Sequence, residues 1–388
     1  PGNKLYLTLS QPLQRAADMA FGEQSGAAVA LDVHSGEVLA MVSRPTFNPG
    51  LFARGIASDE WVGLLRDPRH PLQNKVLNGL YSPASTFKMI VAMAAMRDKM
   101  STARRVIDCS GRFELGDATF RCWKKEGHGR TGLKKALRES CDVWFYQVGL
   151  DLGIEKLAAA AKEFGLGAPV GFPLPGEKKG VIPSKQWKRE QLNAPWYGGE
   201  TVIASIGQGF VLATPIQLAV MTAALANGGQ VYTPQIIRRI EDWQGDILLQ
   251  SEPEVVRQIE YVPEAWAAVR AGLEAAVNEA HGTGWAAHLD TVRVAGKTGT
   301  SQVVRRKSDE EEEQESGDSA EVPYRFRPHA LFVAYAPAEN PQIAVAVVVE
   351  HGQHGGSVAG PIAKAILEAY FDKRQSATHH DGAGDDDV

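Results

Sequence analysis

Alternation opens the chain: Leu5-Tyr6-Leu7-Thr8-Leu9 sets apolar leucines at every second position, the period of a β-strand. Residues 27–33 and 38–43 are apolar runs on either side of His34-Ser35-Gly36-Glu37. Two such runs around a Gly-containing turn predict a β-hairpin. Residues 89–96, Met-Ile-Val-Ala-Met-Ala-Ala-Met, carry no polar side chain, and a helix that is apolar all round is a buried helix. The alanine-rich middle reads as helical, for example over 153–164 and 217–226. Strand signals return at 291–295, 331–335 and 343–350, and 360–371 closes as a helix. Strands at both ends around a helical middle predict an α+β domain, with a mostly antiparallel sheet built from both ends of the sequence.

Size and composition narrow this picture only a little. The 388 residues suffice for one large domain or two ordinary ones, and 44% hydrophobic with 22% charged residues is the balance of a soluble globular protein. The net charge is −5, and much of the acid lies in Asp309-Glu310-Glu311-Glu312-Glu313-Gln314-Glu315 and in residues 381–388. Both read as solvated, self-repelling segments: a flexible acidic loop over 303–327, between two strands, and a disordered tail over 373–388. No basic stripe points to a nucleic-acid partner. No run of eighteen apolar residues is long enough to span a membrane. The abrupt opening Pro1-Gly2-Asn3-Lys4 reads as a trimmed chain whose anchor has been removed. Three cysteines, Cys109, Cys122 and Cys141, cannot all pair within one chain, and their number does not fix a redox compartment.

The candidate chemistry starts with Ser85 and Lys88, the only Ser-x-x-Lys, at the entrance to the apolar 89–96 helix. Positions i and i+3 share a helix face, so a hydroxyl and an amine are held together at the mouth of an apolar site. Burial there disfavours the ammonium, and a neutral Lys88 can take the proton of Ser85 and make it a nucleophile. Ser140-Cys141-Asp142 follows, and then Lys297-Thr298-Gly299-Thr300 directly after the expected 291–295 strand. Taken singly, Ser140 could be a helix cap and Lys297-Thr298-Gly299 a strand-to-turn junction. In this order they match the three motifs of β-lactamases and penicillin-binding proteins, and each has a job in acyl transfer. Lys297 supplies positive charge for a carboxylate and repels charge on Lys88. Gly299 lets substrate backbone lie against the strand. The backbone N–H groups of Ser85 and Thr300 form an oxyanion hole. Ser140 relays a proton between Lys88, Lys297 and the leaving amine.

From Leu5 to Phe371 the chain resembles the class B penicillin-binding proteins, most closely the elongation-type penicillin-binding protein 2 group of Gram-negative bacteria. The resemblance is carried by Asn48-Pro49-Gly50-Leu51-Phe52, Trp123-Lys124-Lys125 with Gly127-His128-Gly129, Phe145-Tyr146-Gln147, Pro195-Trp196-Tyr197, and Ile206-Gly207-Gln208-Gly209 with Thr214-Pro215-Ile216-Gln217. Asp142 stands where the general family has asparagine, as it does in elongation-type members. An anionic side chain cannot donate to a substrate carbonyl as an amide would, which leaves the part played by Asp142 open. The resemblance implies a penicillin-binding transpeptidase/serine β-lactamase-like fold, a mostly antiparallel central sheet between helical layers. Residues 16–372 would form the transpeptidase domain and 1–15 a remnant of a linker or pedestal. It implies a D,D-transpeptidase that cross-links peptidoglycan stem peptides through a Ser85 acyl-enzyme and is a target of β-lactams. It further implies a place at the periplasmic face of the inner membrane, beside a membrane glycosyltransferase of the SEDS type reached through the missing pedestal.

Asp108, Cys122, His128 and Cys141 lie close in sequence and are all ligand types for zinc, with Cys109 the neighbour most able to displace one of them. A metal there would buttress Ser140 and Asp142 from behind and clip the hydrophobe-poor segment 110–130, itself expected to be a loop. Two other readings stay open: buried inert thiols, or a disulfide from Cys109 or Cys122. No cofactor is required for the chemistry itself. A serine β-lactamase, a D,D-carboxypeptidase or a penicillin-sensing receptor would share the Ser85 site. The long Ser85-to-Lys297 separation and the lack of a recognisable deacylating glutamate loop argue against the β-lactamase.

Overall fold

In the computed structural model, which describes residues 2–303 and 322–381, five antiparallel strands form the central sheet. Their spatial order is Ala295–Ser301, His329–Ala336, Ile343–Val349, Gly26–Asp32, Val38–Arg44, so the two ends of the sequence meet where Val345 pairs with Ala30. The expected hairpin is present, and the Asp32 carboxylate pins its turn by accepting from the N–H groups of His34 (2.9 Å) and Ser35 (3.0 Å).

His329–Ala336, Ile343–Val349 and Gly26–Asp32 are buried on both faces, which is why they read as continuous apolar runs. Along Ile343–Val349, Ala344, Ala346 and Val348 face one core; Val345, Val347 and Val349 face the other. The first core is closed by the helices Lys88–Asp98, Asp142–Leu152, Pro215–Ala226 and Pro263–Asn278. The second is closed by Gln11–Phe21, through Leu13, Ala17 and Phe21, and by Gly360–Asp381, through Ile362, Ala363, Ile366 and Leu367. A sheet between helical layers is thus the architecture. Pro215–Ala226 shows how local sequence starts a helix. Thr214 Oγ1 accepts from the Gln217 N–H, Gln217 Oε1 accepts from the Thr214 N–H, and Pro215 fills the first turn.

The structure departs from the sequence expectations in several places. The expected strand at 291–295 starts at Ala295 and runs through the Lys-Thr-Gly residues to Ser301, because pairing to His329–Ala336 outweighs the weak strand signal of Gly296 and Gly299. Segment 110–130, expected to be a loop, holds an Arg112–Leu115/Ala118–Arg121 hairpin whose Phe113 and Phe120 pack on Tyr146. The expected boundary at 15/16 falls inside the helix Gln11–Phe21, and Lys4–Leu7 pairs with Ile237–Glu241 in a smaller sheet. The closing helix passes residue 372 and ends at Asp381. Residues 304–321 of the expected acidic loop and 382–388 of the expected tail lie outside the described residues. Among the described residues no helix is long and apolar enough to cross a membrane.

Candidate active site

Ser85 sits in a 3-10 turn, Ala84–Phe87, that runs straight into the buried helix Lys88–Asp98. Ala84 has φ +50°, a left-handed conformation that a residue with a Cβ adopts at a cost. The surroundings hold it there: the Ala84 N–H donates to Gly207 O at 2.9 Å. Gly207 is itself left-handed (φ +68°), and a Cβ on it would lie 2.3 Å from Ala84 O. Only glycine fits. Thr86 Oγ1 donates to Pro83 O at 2.6 Å, which tightens the same turn.

Two lysines with no exposed surface, Lys88 and Lys297, converge on the Ser140 hydroxyl, at 3.2 Å and 2.8 Å from its oxygen. Lys88 Nζ also donates to Ser140 O (2.9 Å) and Asp142 Oδ1 (2.6 Å), so its three N–H positions all have acceptors. Ser140 is held at φ +58°, which aims both its carbonyl and its hydroxyl at Lys88. The second carboxylate oxygen of Asp142 accepts from the Trp123 N–H at 2.8 Å. Asp142 therefore spends both oxygens on protein donors: it pairs with Lys88 rather than addressing a ligand.

Lys297 is held well below its ordinary value of 10.5, by burial first and then by the charge of Lys88, with Asp142 opposing. Between the lowered value and 10.5 the unfolded chain holds the proton that the folded chain has lost, so stability rises with pH across that window. The melting temperature is expected to gain more between about pH 7 and pH 9 in wild type than in Lys297→Met. Equal gains would show that Lys297 titrates normally.

Lys297, Thr298, Gly299 and Thr300 lie on Ala295–Ser301, the edge strand of the sheet, next to the Ser85 turn. A Cβ on Gly299 would stand 3.1 Å from Pro83 O and from Thr86 Cγ2. The missing side chain therefore makes room for the Ser85 turn, where the sequence suggested room for substrate. Thr298 Oγ1 donates to Thr283 Oγ1 (2.9 Å), and Thr300, exposed, receives at its carbonyl the Gln208 amide (3.0 Å).

Behind Ser140 lies a second constellation. The ligand atoms of Cys109, Cys122, His128 and Cys141, all buried, are within 4.8 Å of one another. His128 Nδ1 is 3.6 Å from Cys109 Sγ and 3.5 Å from Cys122 Sγ. Asp108, expected among the donors, is not one of them: on Ile107–Cys109 alternate side chains face opposite ways, so Asp108 is exposed and Cys109 turns inward. All three cysteines are free thiols. Hydrogen bonding to Cys141, and then to His128, holds the Cys109 thiol down to about 6 and Cys122 lower still, while Cys141 is pushed up. Burial works against a charged His128, yet the Cys122 and Cys109 sulfurs outweigh it and raise its pKa. The cluster reaches Ser140-Cys141-Asp142 directly, since Cys122 Sγ accepts from the Asp142 N–H at 3.4 Å.

The structure thus brings Lys88, Ser140, Asp142 and Lys297 into one hydrogen-bonded group, with Ser85 and the Lys297 strand packed against each other. Sequence reasoning gave no role to Trp123, Thr283, Gly207 or Gln208. A Gly-x-Gly at 207–209 between apolar residues was a readable sign of close backbone approach, whereas Thr283 carries no local signal at all.

The family model for the penicillin-binding protein transpeptidase domain matches residues 26–368. The peptidoglycan D,D-transpeptidase MrdA of Haemophilus influenzae is 39% identical over 378 residues, 96% of this chain and 57% of the relative. The chain therefore spans little more than half the length of that curated relative. The crystal structure of Pseudomonas aeruginosa PBP2 in complex with WCK 5153 is 38% identical with a TM-score of 0.83, covering 95% of this chain and 76% of that one. A structure described as the structural coordination of polymerization and crosslinking by a peptidoglycan synthase complex is 32% identical with a TM-score of 0.79, covering 96% and 63%.

Proposed function

Since the chain belongs to the penicillin-binding protein transpeptidase domain family, we propose that it is the catalytic part of an elongation-type peptidoglycan D,D-transpeptidase with Ser85 as nucleophile. The observation that carries this reading is the Ser140 hydroxyl bridging Lys88 and Lys297 beside the Ser85 turn. Ser85 Oγ attacks the carbonyl of the penultimate D-Ala of a stem peptide; Lys88, its own proton shifted onto the paired Asp142 carboxylate, takes the Ser85 proton as a neutral amine and hands it to the Ser140 hydroxyl. The N–H groups of Ser85 and Thr300 receive the oxyanion. Ser140 passes a proton to the departing D-Ala amine, and Lys297, with Thr298 beside it, holds the terminal carboxylate, whose negative charge favours the ammonium form that burial and Lys88 disfavour in the free site. The amine of a second stem then attacks the acyl-Ser85 carbonyl, forming the cross-link and freeing Ser85. A β-lactam enters the same path and stays on Ser85.

Intact-mass spectrometry with benzylpenicillin tests it. Wild type is expected to gain one penicilloyl mass that persists for hours, and Ser85→Ala none. Rapid loss of the adduct would make the protein a hydrolase, and an adduct on Ser85→Ala would displace the nucleophile. Likeness to a structure described as the coordination of polymerization and crosslinking by a peptidoglycan synthase complex supports a glycan-polymerising partner, and we propose that this partner is a SEDS-type glycosyltransferase at the periplasmic face of the inner membrane.

The thiol–imidazole cluster is the second part of the proposal: Cys109, Cys122, His128 and Cys141 hold a structural zinc. Ligands on a tetrahedral ion with bonds of about 2.0–2.3 Å stand roughly 3.5–3.8 Å apart, and the His128-to-sulfur distances of 3.5 and 3.6 Å fit. Zinc there supplies no chemistry to the reaction; it ties the hairpin segment to the Asp142 helix. Elemental analysis is expected to find about one zinc per chain in wild type and in Asp108→Ala, and much less in Cys109→Ala. Retention by Cys109→Ala with loss by Asp108→Ala would restore the ligand set expected from sequence.

A further inference from the structure

We propose that Trp123 is a positioning residue for the Lys88–Ser140–Lys297 group, and that through it the thiol–imidazole cluster acts on the site. The inference rests on the acyl-transfer reading above. Trp123 makes three hydrogen bonds to the segment 139–142. Its indole Nε1–H is shared between Glu139 O (3.0 Å) and Ser140 O (3.1 Å), and its main-chain N–H donates to Asp142 Oδ2 (2.8 Å). One residue thus grips both flanks of Ser140.

Ser140 needs that grip. At φ +58° it is a non-glycine residue in the left-handed region, which persists only where the surroundings over-determine it. Its carbonyl is held from two sides, by Lys88 Nζ and by the indole. If the indole N–H is lost, the Ser140 carbonyl keeps only Lys88, and the peptide that aims the Ser140 hydroxyl is otherwise held from its far side alone, by the Cys141 N–H on Ala136 O (3.0 Å). Asp142 is held in the same divided way, one oxygen on Lys88 and the other on the Trp123 main chain.

Trp123 is also the residue through which the cluster is felt. It follows Cys122 directly, and its ring stands edge-on to His128 with centroids 5.5 Å apart. The Cys122 N–H is fixed to Gly111 O at 2.8 Å, so the cluster sets where the Trp123 main chain lies. Ordinary core filling does not account for the residue: its relative exposure is 49%. An indole kept half in solvent yet hydrogen-bonded to two carbonyls is retained for its direction.

The test separates positioning from ligand contact. Acylation by a chromogenic penicillin is resolved into the non-covalent dissociation constant and the acylation rate constant for wild type, Trp123→Phe, and a variant with benzothienylalanine at position 123. The benzothienyl group keeps the shape of indole and lacks only the N–H, which preserves the fold if phenylalanine does not. Both variants are expected to lose about tenfold in the rate constant, the worth of one well-placed hydrogen bond. The dissociation constant should change by less than about twofold, and Trp243→Phe, an exposed tryptophan elsewhere, should match wild type. A benzothienyl variant that acylates at the wild-type rate overturns the proposal, as does a loss confined to the dissociation constant, which would make the ring a ligand contact. Failure of wild type to acylate at Ser85 would instead remove the reading on which the proposal rests.

Discussion

Lys88→Met is expected to slow acylation by penicillin about a thousandfold, within the range seen when a general base is removed, and to destabilise the domain by about 3 kcal/mol or more. The two losses have different causes. Methionine is close to lysine in shape and apolar, so the helix 88–98 keeps its packing. What changes is electrostatic: Asp142, buried and paired with Lys88 at 2.6 Å, is left with a carboxylate whose cation has gone. Asp142→Asn in the Lys88→Met background removes that orphaned charge. The double variant should therefore recover most of the stability while acylation stays slow. Chemical denaturation and stopped-flow acylation of the four members of the cycle separate the effects. A double variant that regains the rate would show that Lys88 serves the fold only.

Gly207→Ala is expected to be nearly as severe, although no reacting atom is changed. A Cβ at 207 meets the backbone oxygen of Ala84 at 2.3 Å and Phe87 Cβ at 2.6 Å, and the left-handed φ adds its own cost. Neither Ala84 nor Phe87 can move without carrying Ser85, so the turn shifts outward. A displacement of the order of 1 Å is enough to cost about a hundredfold in rate. Penicillin labelling and a melting curve on Gly207→Ala should show both losses together. Near-normal labelling would mean that the turn tolerates the shift.

Ser85–Lys88 and Lys297–Thr300 were legible in the sequence because each is local: three residues on one helical turn, four on one strand. What joins them was not, since the meeting of Lys88, Lys297 and Ser140 is made by a sheet pairing residues from opposite ends of the chain. The apolar strands carried the fold class, but the strand with the chemistry hid itself. Ala-Gly-Lys-Thr-Gly-Thr-Ser has no strand pattern, and takes its conformation from His329–Ala336 beside it. The exchange of Asp108 for Cys109 has the same origin. Read as a strand, Ile107 and Cys109 share the inner face; without an assigned strand, the two neighbours looked equivalent as ligands.

The order of the strands also dates the site within the life of the molecule. Ser85 and Ser140 are synthesised early, but the Lys297 strand joins Gly26–Asp32 only by way of His329–Ala336 and Ile343–Val349. A nascent chain that has not yet reached Val349 lacks the strand that links its early and late halves. It holds Ser85 without the edge strand that packs against the Ser85 turn. Chains cut short by a stop codon before this point are expected to escape penicillin labelling altogether. Labelling by a penicillin then counts finished molecules, and can serve as a clock for when each one is completed.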